Sequence, residues 1–340
     1  MMHSVFDVRR RSWNRGKAPD VLAASMTSPS QAGNRPFGLG LAPLCLIAAA
    51  CSHTPPLDPG QPARNRGPLS LTYLGVAGWQ IDGGGGEKQT TILADPYFSR
   101  PALEGVIEPD PAAIARRAPP RADLIVIGHT HVDHVLDAPA VAQRTGAQLM
   151  GSLSTVRYGR TQGLASDRLI PVKGGEDYDF GRYSVRVVPS LHSALDNKHY
   201  MGSELADGAT PRQFDEFVEG GTLAYLVRVA GWTVFVQSSA NFIERELEGV
   251  RPDVAILAPG LRQEVTDYTC RLLRVLGYPR RAYVTHFDDW RKPPGPAPVS
   301  ADVAAFVREA KSCAPGTQVV VPQPFVPMRL DDLTGQQAVR

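Results

Sequence analysis

The stretch Gly128-His129-Thr130-His131-Val132-Asp133-His134 decides which fold and which site this chain can form. It directly follows residues 124–127, an apolar run between Asp123 and Gly128 that is typical of a buried strand. After it, Asp137 is a candidate N-cap of a helix that carries Pro139 in its first turn. The stretch therefore lies on a strand-to-helix turn, at the carboxyl end of a strand, where α/β architectures bind their ligands.

The residue types in this stretch indicate a metal site. His129 and His131 are two positions apart on an extended segment, so their rings leave the backbone on the same side. Asp133 and His134 follow as the chain turns. Imidazole nitrogens and carboxylate oxygens suit a borderline divalent ion such as Zn²⁺. Since the whole chain has only 8 His in 340 residues, their concentration here favours a metal site over a solvated loop.

The pattern His-x-His-x-Asp-His resembles the signature of the metallo-β-lactamase superfamily. The resemblance covers roughly residues 69–330 and implies an α+β fold, the four-layer αββα metallo-β-lactamase sandwich, with metals at one edge between the sheets. A Gly-rich turn at residues 74–78 and the Asp95-Pro96 pair more narrowly resemble the branch around ascorbate-6-phosphate lactonase and N-acyl-phosphatidylethanolamine phospholipase D.

Two further histidines each follow an apolar run. His192 comes after residues 183–188 and His286 after residues 281–285. The resemblance implies two metal sites, the first built by His129, His131 and His192 and the second by Asp133, His134 and His286. We therefore expect one or two divalent ions, with Zn favoured and Mn or Fe as alternatives.

The chain departs from the superfamily at Ser238-Ser239, where most members have Gly-Asp and the Asp bridges two metals. Without this carboxylate, a bridging hydroxide must balance more charge, or only one ion binds firmly. Ser239 is a candidate for a weak ligand or for holding a ligating water. Asp288 and Asp289 are candidates to replace the bridge or to orient His286, with surface acids as the alternative.

Two other residues near the motifs have an open role. Asp95 lies at the end of a predicted strand and is a candidate to hold a metal ligand in place, or it is simply a turn residue before Pro96. His199 falls in residues 194–220, an irregular segment predicted to form a lid or a pocket wall. It is either a substrate contact or a solvated loop histidine.

These residues predict a metal-dependent hydrolase. We expect a metal-activated water to attack an ester, lactone or phosphodiester, with Asp133 orienting the nucleophile and later taking up its proton. The substrate is a small or lipid-like molecule, and β-lactam cleavage is also possible for the superfamily. The alternative is a non-catalytic metal-binding envelope lipoprotein of the same fold, in which Ser239 replaces the bridging Asp. The net charge of +2 and the lack of a basic face with aromatics argue against nucleic acid as a partner.

Residues 1–51 are predicted to be a lipoprotein-type leader, whose true start is Met1 or Met26. Arg35 precedes the apolar run 37–50, which is too short to span a bilayer but fits a signal-peptide core. Small residues before Cys51 resemble a bacterial lipoprotein cleavage box. Lipidation of Cys51 would anchor the protein in the bacterial cell envelope, facing the periplasm. A cleaved signal peptide on a secreted or periplasmic protein, or a cytoplasmic protein with an unusual N-terminus, are the alternatives.

The remaining segments frame one large domain. Residues 52–68 are rich in proline and predict a stiff tether, residues 69–330 form the hydrolase domain, and residues 331–340 are a tail. Cys270 and Cys313 either form a disulfide in an oxidising compartment or stay as two buried thiols.

Periodicity and turn residues predict the elements of the domain. Helices are expected over residues 110–117, 152–159, 241–250, 264–276 and 299–311. Strands are expected over residues 69–74, 79–81, 88–93, 124–127, 148–150, 169–172, 177–180, 183–188, 221–229, 233–237, 253–257, 281–285 and 318–321.

Overall fold

The computed structural model describes residues 66–195, 203–295 and 299–330. All of them lie in one compact unit, Gly60–Arg340. The predicted leader with Cys51, most of the tether, His199 and the C-terminal tail lie outside the described residues. Within the described ranges, we find no helix with the length and apolar composition needed to cross a membrane.

The described residues form strands, α-helices and short 3₁₀ turns. In chain order the strands are β1 (Leu69–Gly75), β2 (Gly78–Gly83), β3 (Thr90–Ala94), β4 (Leu124–Val126), β5 (Gln148–Gly151), β6 (Leu169–Pro171), β7 (Asp177–Asp179), β8 (Tyr183–Pro189), β9 (Leu223–Val229), β10 (Trp232–Gln237), β11 (Val254–Leu257), β12 (Arg281–Val284), β13 (Gln318–Val320) and β14 (Pro327–Leu330). The α-helices are α1 (Pro111–Arg117), α2 (Val132–Val135), α3 (Ala138–Thr145), α4 (Leu153–Thr161), α5 (Tyr268–Val275) and α6 (Ala301–Cys313). The 3₁₀ turns are Gly86–Lys88, Ser166–Arg168, Phe214–Glu216, Glu244–Leu247 and Arg262–Glu264.

The strands build two seven-stranded sheets, in the orders β14-β1-β2-β3-β4-β5-β6 and β13-β12-β11-β10-β9-β8-β7. In the first sheet β3, β4, β5 and β6 are parallel. In the second sheet β10, β11, β12 and β13 are parallel, and β8 has the same direction because both β8 and β10 are antiparallel to β9. The carboxyl ends of β8, β10, β11 and β12 therefore meet at one edge of their sheet.

The two sheets pack face to face, and the helices cover their outer faces. Leu124 and Val126 of β4 join the apolar cluster between the sheets, whereas Ile125 joins the cluster under α1, α3 and α4. In β11, Ile256 faces the other sheet and Leu257 faces α5 and α6. Because both faces of these strands are buried, their sequences are continuous apolar runs. The predicted four-layer αββα sandwich is confirmed.

The helix predicted over residues 241–250 is wrong, because only the 3₁₀ turn Glu244–Leu247 forms there. The backbone carbonyl of Asn241 accepts a hydrogen bond from Gln237 Nε2 at 2.7 Å, and the Asn241 side chain accepts from Phe242 N at 2.9 Å. Local side-chain bonds of this kind compete with helix formation. The apolar periodicity was therefore outweighed by the contacts that hold this loop in place.

Other boundaries also differ from the prediction. The helix predicted from residue 264 begins only at Tyr268, because Asp267 is left-handed with φ 46° and Arg262–Glu264 forms a separate 3₁₀ turn. Strand β14 was not predicted; it pairs antiparallel with β1. Helices α1, α4 and α6 are confirmed with small shifts at their ends.

A disulfide joins Cys270 on α5 to Cys313 at the end of α6, with a Cα–Cα distance of 5.7 Å. Of the two states left open by the sequence, the structure therefore has the disulfide. Since both helices cover the outer face of the second sheet, the bond lies in the outermost layer of the sandwich.

Candidate metal centre

The predicted ligands converge from three strand ends. The histidine motif follows β4 of the first sheet, while His192 and His286 follow β8 and β12 of the second sheet. They form two groups in which the candidate ligand atoms lie within 4.8 Å of one another. The first group is His129, His131 and His192, and the second is Asp133, His134 and His286. These are the two sets that the sequence resemblance implied.

The first group consists of three imidazoles that meet edge to face. Ring centroids are 4.8 Å apart for His129 and His131, 4.6 Å for His129 and His192, and 4.7 Å for His131 and His192. Burial, followed by neighbouring histidines, lowers the pKa of His129 well below its ordinary value. Burial likewise lowers the pKa of His131 and of His192 to about 4. All three rings are therefore neutral at pH 7, which is the form that binds metals.

The second group combines one carboxylate with two imidazoles. Asp133 Oδ2 lies 3.2 Å from His286 Nε2 and 3.7 Å from His134 Nε2. Burial alone would raise the pKa of Asp133, but His134 and His286 outweigh it and hold that pKa well below its usual range. Asp133 is therefore ionised at neutral pH. The ring centroids of His134 and His129 are 3.8 Å apart, so the two groups adjoin.

Asp95, at the end of β3, holds the turn that carries the motif. One carboxylate oxygen accepts a hydrogen bond from Gly128 N at 2.7 Å, and the other lies 3.0 Å from His134 Nδ1. In the neutral ring, a proton on the nitrogen that faces the carboxylate leaves the lone pair of His134 Nε2 available to the second group. Burial lowers the pKa of His134, but Asp133 and Asp95 raise it overall.

His192 is held by a network that sequence reasoning missed. Its Nδ1 donates to the carbonyl of Ser193 at 2.9 Å, and its own carbonyl accepts from Asn241 Nδ2 at 3.2 Å. Ser193 Oγ in turn accepts from Ala240 N at 2.8 Å. The signal in the sequence is the run of small polar residues after β10, which the family pattern marks only as the place of the missing bridging Asp. It acts here as a support for the His192 turn.

The loop after β10 brings Ser238 against the turn that carries the histidine motif. An added Cβ at Gly128 would lie 2.2 Å from Ser238 Oγ and 3.1 Å from Asp95 Oδ2, so a larger residue there would have to displace the serine hydroxyl. Ser239 is buried, and its carbonyl accepts from Gln237 Nε2 at 3.1 Å. The role of Ser239 as a weak ligand stays a prediction.

The other acidic candidates lie apart from the ligand groups. The side chain of Asp288 is only 6% exposed and accepts hydrogen bonds from Tyr73 Oη and Val76 N. Asp289 pairs with Arg291 at 3.0 Å, which lowers the pKa of Asp289 to about 2. Neither carboxylate belongs to a ligand group within the described residues, so neither replaces the bridging Asp of the family pattern.

Asp137 was predicted to cap α3, but its side chain makes no capping bond. Its carboxylate instead accepts from Phe98 N and Ser99 N, at 2.5 and 2.8 Å, and fixes the segment after Asp95. Burial raises the pKa of Asp137 to about 6. Tyr97, in the same segment, is fully buried, and its hydroxyl has no partner in the described part of the chain.

The residues present fit a divalent metal. Nδ1 of His129 and Nε2 of His134 are buried, and neither has a hydrogen-bond partner among the described residues. A buried polar atom without a partner is costly, and coordination to a cation removes that cost. Five imidazoles and one carboxylate are also the donor types of Zn, Mn and Fe sites.

A groove of about 750 Å³ lies elsewhere, and its lining includes Tyr183, Arg228 and Trp232. Tyr183 begins β8 and Trp232 begins β10, so the groove is at the opposite end of these strands from His192 and Ser238. It is therefore separate from the candidate metal centre.

Comparison with known proteins gives one family and a consistent set of relatives. A family model described as a β-lactamase superfamily domain matches residues 90–287. A UPF0173 metal-dependent hydrolase of Heliobacterium modesticaldum is 26% identical over 253 residues, covering 71% of this chain and 89% of the relative. Another, of Carboxydothermus hydrogenoformans, is 24% identical over 261 residues, covering 76% and 99%.

Two solved structures share the fold. Igni18, a metallo hydrolase from Ignicoccus hospitalis, has a TM-score of 0.53 and 19% identity, covering 78% of this chain and 99% of that one. CmlA, a diiron β-hydroxylase from Streptomyces venezuelae, has a TM-score of 0.51 and 16% identity, covering 79% and 55%. Since one is a hydrolase and the other a hydroxylase, the fold alone does not decide the chemistry.

Proposed function

This chain belongs to the β-lactamase superfamily, and we propose that it is a metal-dependent hydrolase acting on an ester, lactone or phosphodiester. The observation that carries the proposal is the convergence of His129, His131 and His192 beside Asp133, His134 and His286 in one buried centre. The metal-dependent hydrolases among its relatives support the same reaction class. Zn is the favoured ion, with Mn or Fe as alternatives.

The chain's own residues prepare the centre for that ion. The first group offers three neutral imidazoles, since burial lowers their pKa values. The second adds the ionised carboxylate of Asp133, which favours a cation there. When bound, a divalent ion supplies an acidified water and polarises the group under attack.

We assign to Asp133 the role of orienting the attacking water. Its carboxylate faces His286 and His134 within the centre, and its low pKa keeps it able to accept a hydrogen bond from the attacking water. Asp95 keeps the His134 ring in one orientation, and the loop of Asn241 does the same for the His192 turn. Asp95 and the Asn241 loop therefore orient the candidate metal ligands and do not take part in the reaction.

Metal analysis and a substrate panel test this function. The purified protein should contain a transition metal, and it should hydrolyse a member of a panel of lactones, phosphodiesters and β-lactams. Activity should be lost with chelator and return with added metal. His131→Ala and Asp133→Asn should each lower metal content or turnover at least tenfold. Asp82→Asn is the control, because the Asp82 carboxylate contacts Gln80 and Thr91 on the sheet. This variant should change neither metal content nor turnover.

A metal-binding protein without turnover is the second candidate, favoured by Ser238-Ser239 in place of a bridging carboxylate. Metal-loaded protein that is inert on the whole panel, before and after Ser239→Asp, would support it over the hydrolase. Turnover by the wild type would exclude it.

We also propose that the protein is a lipid-anchored component of the bacterial cell envelope. The small residues before Cys51 support this, and the disulfide between Cys270 and Cys313 supports an oxidising compartment. Incorporation of a labelled fatty acid should be lost in Cys51→Ser and kept in Cys45→Ser, its matched control in the same leader. Label that persists in Cys51→Ser would contradict the anchor.

A further inference from the structure

A buried ion pair lies beside the second ligand group. Arg100, on the loop after β3, places Nη2 3.1 Å from Asp288 Oδ2, and only 2% of the Arg100 side chain and 6% of the Asp288 side chain are exposed. Nη1 of Arg100 donates to the carbonyls of Asp289 and Lys292 at 2.9 and 2.8 Å. One guanidinium thus holds three points of the loop that follows His286.

The contacts continue from Asp288 back to His286 through the turn between β1 and β2. Asp288 Oδ1 accepts from Val76 N at 2.7 Å and from Tyr73 Oη at 2.6 Å. The carbonyl of Val76 then accepts from His286 N at 2.5 Å and from Thr285 Oγ1 at 3.0 Å. The peptide groups on either side of Val76 are therefore bonded to the two residues that flank Phe287.

The backbone at both ends of this chain of contacts needs support. Val76 and His286 each have φ 53°, in the left-handed region that residues other than glycine rarely adopt. At Gly75, with φ 97°, an added Cβ would lie 2.3 Å from Arg100 Nη2 and 3.3 Å from Asp288 Oδ2. The turn, the guanidinium and the carboxylate are thus closely packed against one another.

We propose that Arg100 and Asp288 are positioning residues that hold Val76, and through it His286, in the orientation that completes the second ligand group. The inference rests on the proposed metal-binding function. The contacts described for Arg100 and Asp288 do not reach His129, His131 or His192. Loss of the ion pair should therefore affect the second group and spare the first.

Hydrogen exchange of the metal-free protein tests the positioning directly. In Asp288→Asn and in Arg100→Met, the amide of His286 should exchange at least tenfold faster than in the wild type. Arg100→Lys keeps the charge but not the planar guanidinium, so the exchange rate of its His286 amide should lie between those of the wild type and Arg100→Met. It also provides a test if Arg100→Met does not fold.

Asp253→Asn is the matched control, since Asp253 also pairs with an arginine, Arg66, and accepts a backbone bond from Thr233 N at 2.9 Å. It lies before β11, at the end of that strand away from the metal centre. In Asp253→Asn, the amide of His286 should exchange at the wild-type rate. Equal exchange at His286 in Asp288→Asn and the wild type would overturn the proposal.

A Co²⁺ titration followed by absorption supplies the second measurement. In Asp288→Asn, one equivalent of Co²⁺ should bind at least tenfold less tightly than in the wild type, while any other equivalent stays within twofold and Asp253→Asn is unchanged. Wild-type protein that binds no Co²⁺ would defeat both the proposed function and this inference. Wild-type binding that Asp288→Asn matches in every equivalent would overturn this inference alone.

Discussion

Asp133 Oδ2 lies 3.2 Å from His286 Nε2, so the turn after β4 in the first sheet meets the end of β12 in the second. The first ligand group has the same division, because His129 and His131 come from the first sheet and His192 from the second. Each group is therefore complete only when the two sheets are packed against each other.

Asp95→Asn should weaken metal binding about 10- to 100-fold, the usual cost of losing a partner that orients a metal-binding histidine. An amide can donate to His134 Nδ1 as well as accept from it, so the ring loses its fixed orientation. Competition with a chromophoric chelator measures the affinity.

Asp123→Asn is the control for this variant. Asp123 directly precedes β4 and accepts a hydrogen bond from Thr91 N at 2.9 Å. Asp95 makes a similar bond beyond the other end of β4, where it accepts from Gly128 N at 2.7 Å. Metal affinity in Asp123→Asn should equal that of the wild type. Equal affinities in all three proteins would show that Asp95 is only a turn residue.

Gly128→Ala should lower the free energy of unfolding by about 1–3 kcal/mol, as expected for overpacking in a close-packed interior. The clash is with Ser238 Oγ, so adding Ser238→Ala should recover part of the loss. Urea unfolding of the two single variants and the double variant measures the coupling. Losses that simply add would mean that the added methyl group is accommodated elsewhere.

The metal-free protein should lose stability as the pH falls from about 6.5 to about 4. Burial lowers the pKa of His131 and of His192 to about 4, whereas the unfolded chain keeps values near 6.5. The unfolded state therefore binds more protons across this window, at a cost of about 3 kcal/mol for each histidine. His134 and Asp137 contribute in the opposite sense, because the pKa of each is raised overall.

Urea unfolding of chelator-treated protein between pH 4.5 and 7.5 measures this dependence. His192→Gln removes one of the two histidines, so its stability should vary less steeply with pH than that of the wild type. A variant with an unchanged slope would show that His192 does not titrate in this window.

Replacing both Cys270 and Cys313 with serine should lower the free energy of unfolding by about 2–4 kcal/mol. The bond closes a loop with a sequence separation of 43 and joins α5 to α6. Metal affinity should not change, since these helices cover the outer face of the second sheet. Unfolding with and without reductant checks the first part, and reductant that alters the wild type and the double serine variant equally would contradict it.

The strands and the histidines at their ends could be predicted because their signals are local, whereas the division of the ligands into two groups came from the family resemblance. An apolar run followed by a histidine marks a strand end, and His129, His192 and His286 all show it. The supports of the site depend on contacts between distant segments. Nothing near Arg100 in the sequence indicates its pairing with Asp288, and nothing near Asn241 indicates its bond to His192.

Strand β14 was missed for a similar reason. Residues 327–330 are a short segment that begins with proline, and only the edge of β1 gives it a partner. The helix predicted over residues 241–250 does not form, although the sequence has the apolar periodicity of a helix. Its first residue, Asn241, makes hydrogen bonds with Gln237 and Phe242 instead.

The division of ligands between the sheets has a mechanical consequence. An ion in either group would cross-link the two sheets at this edge, in addition to the hydrogen bonds that join them there, such as that from His286 N to the carbonyl of Val76. Removal of the ions should therefore separate the two sheets first at the edge that carries the metal centre, before the opposite edge opens.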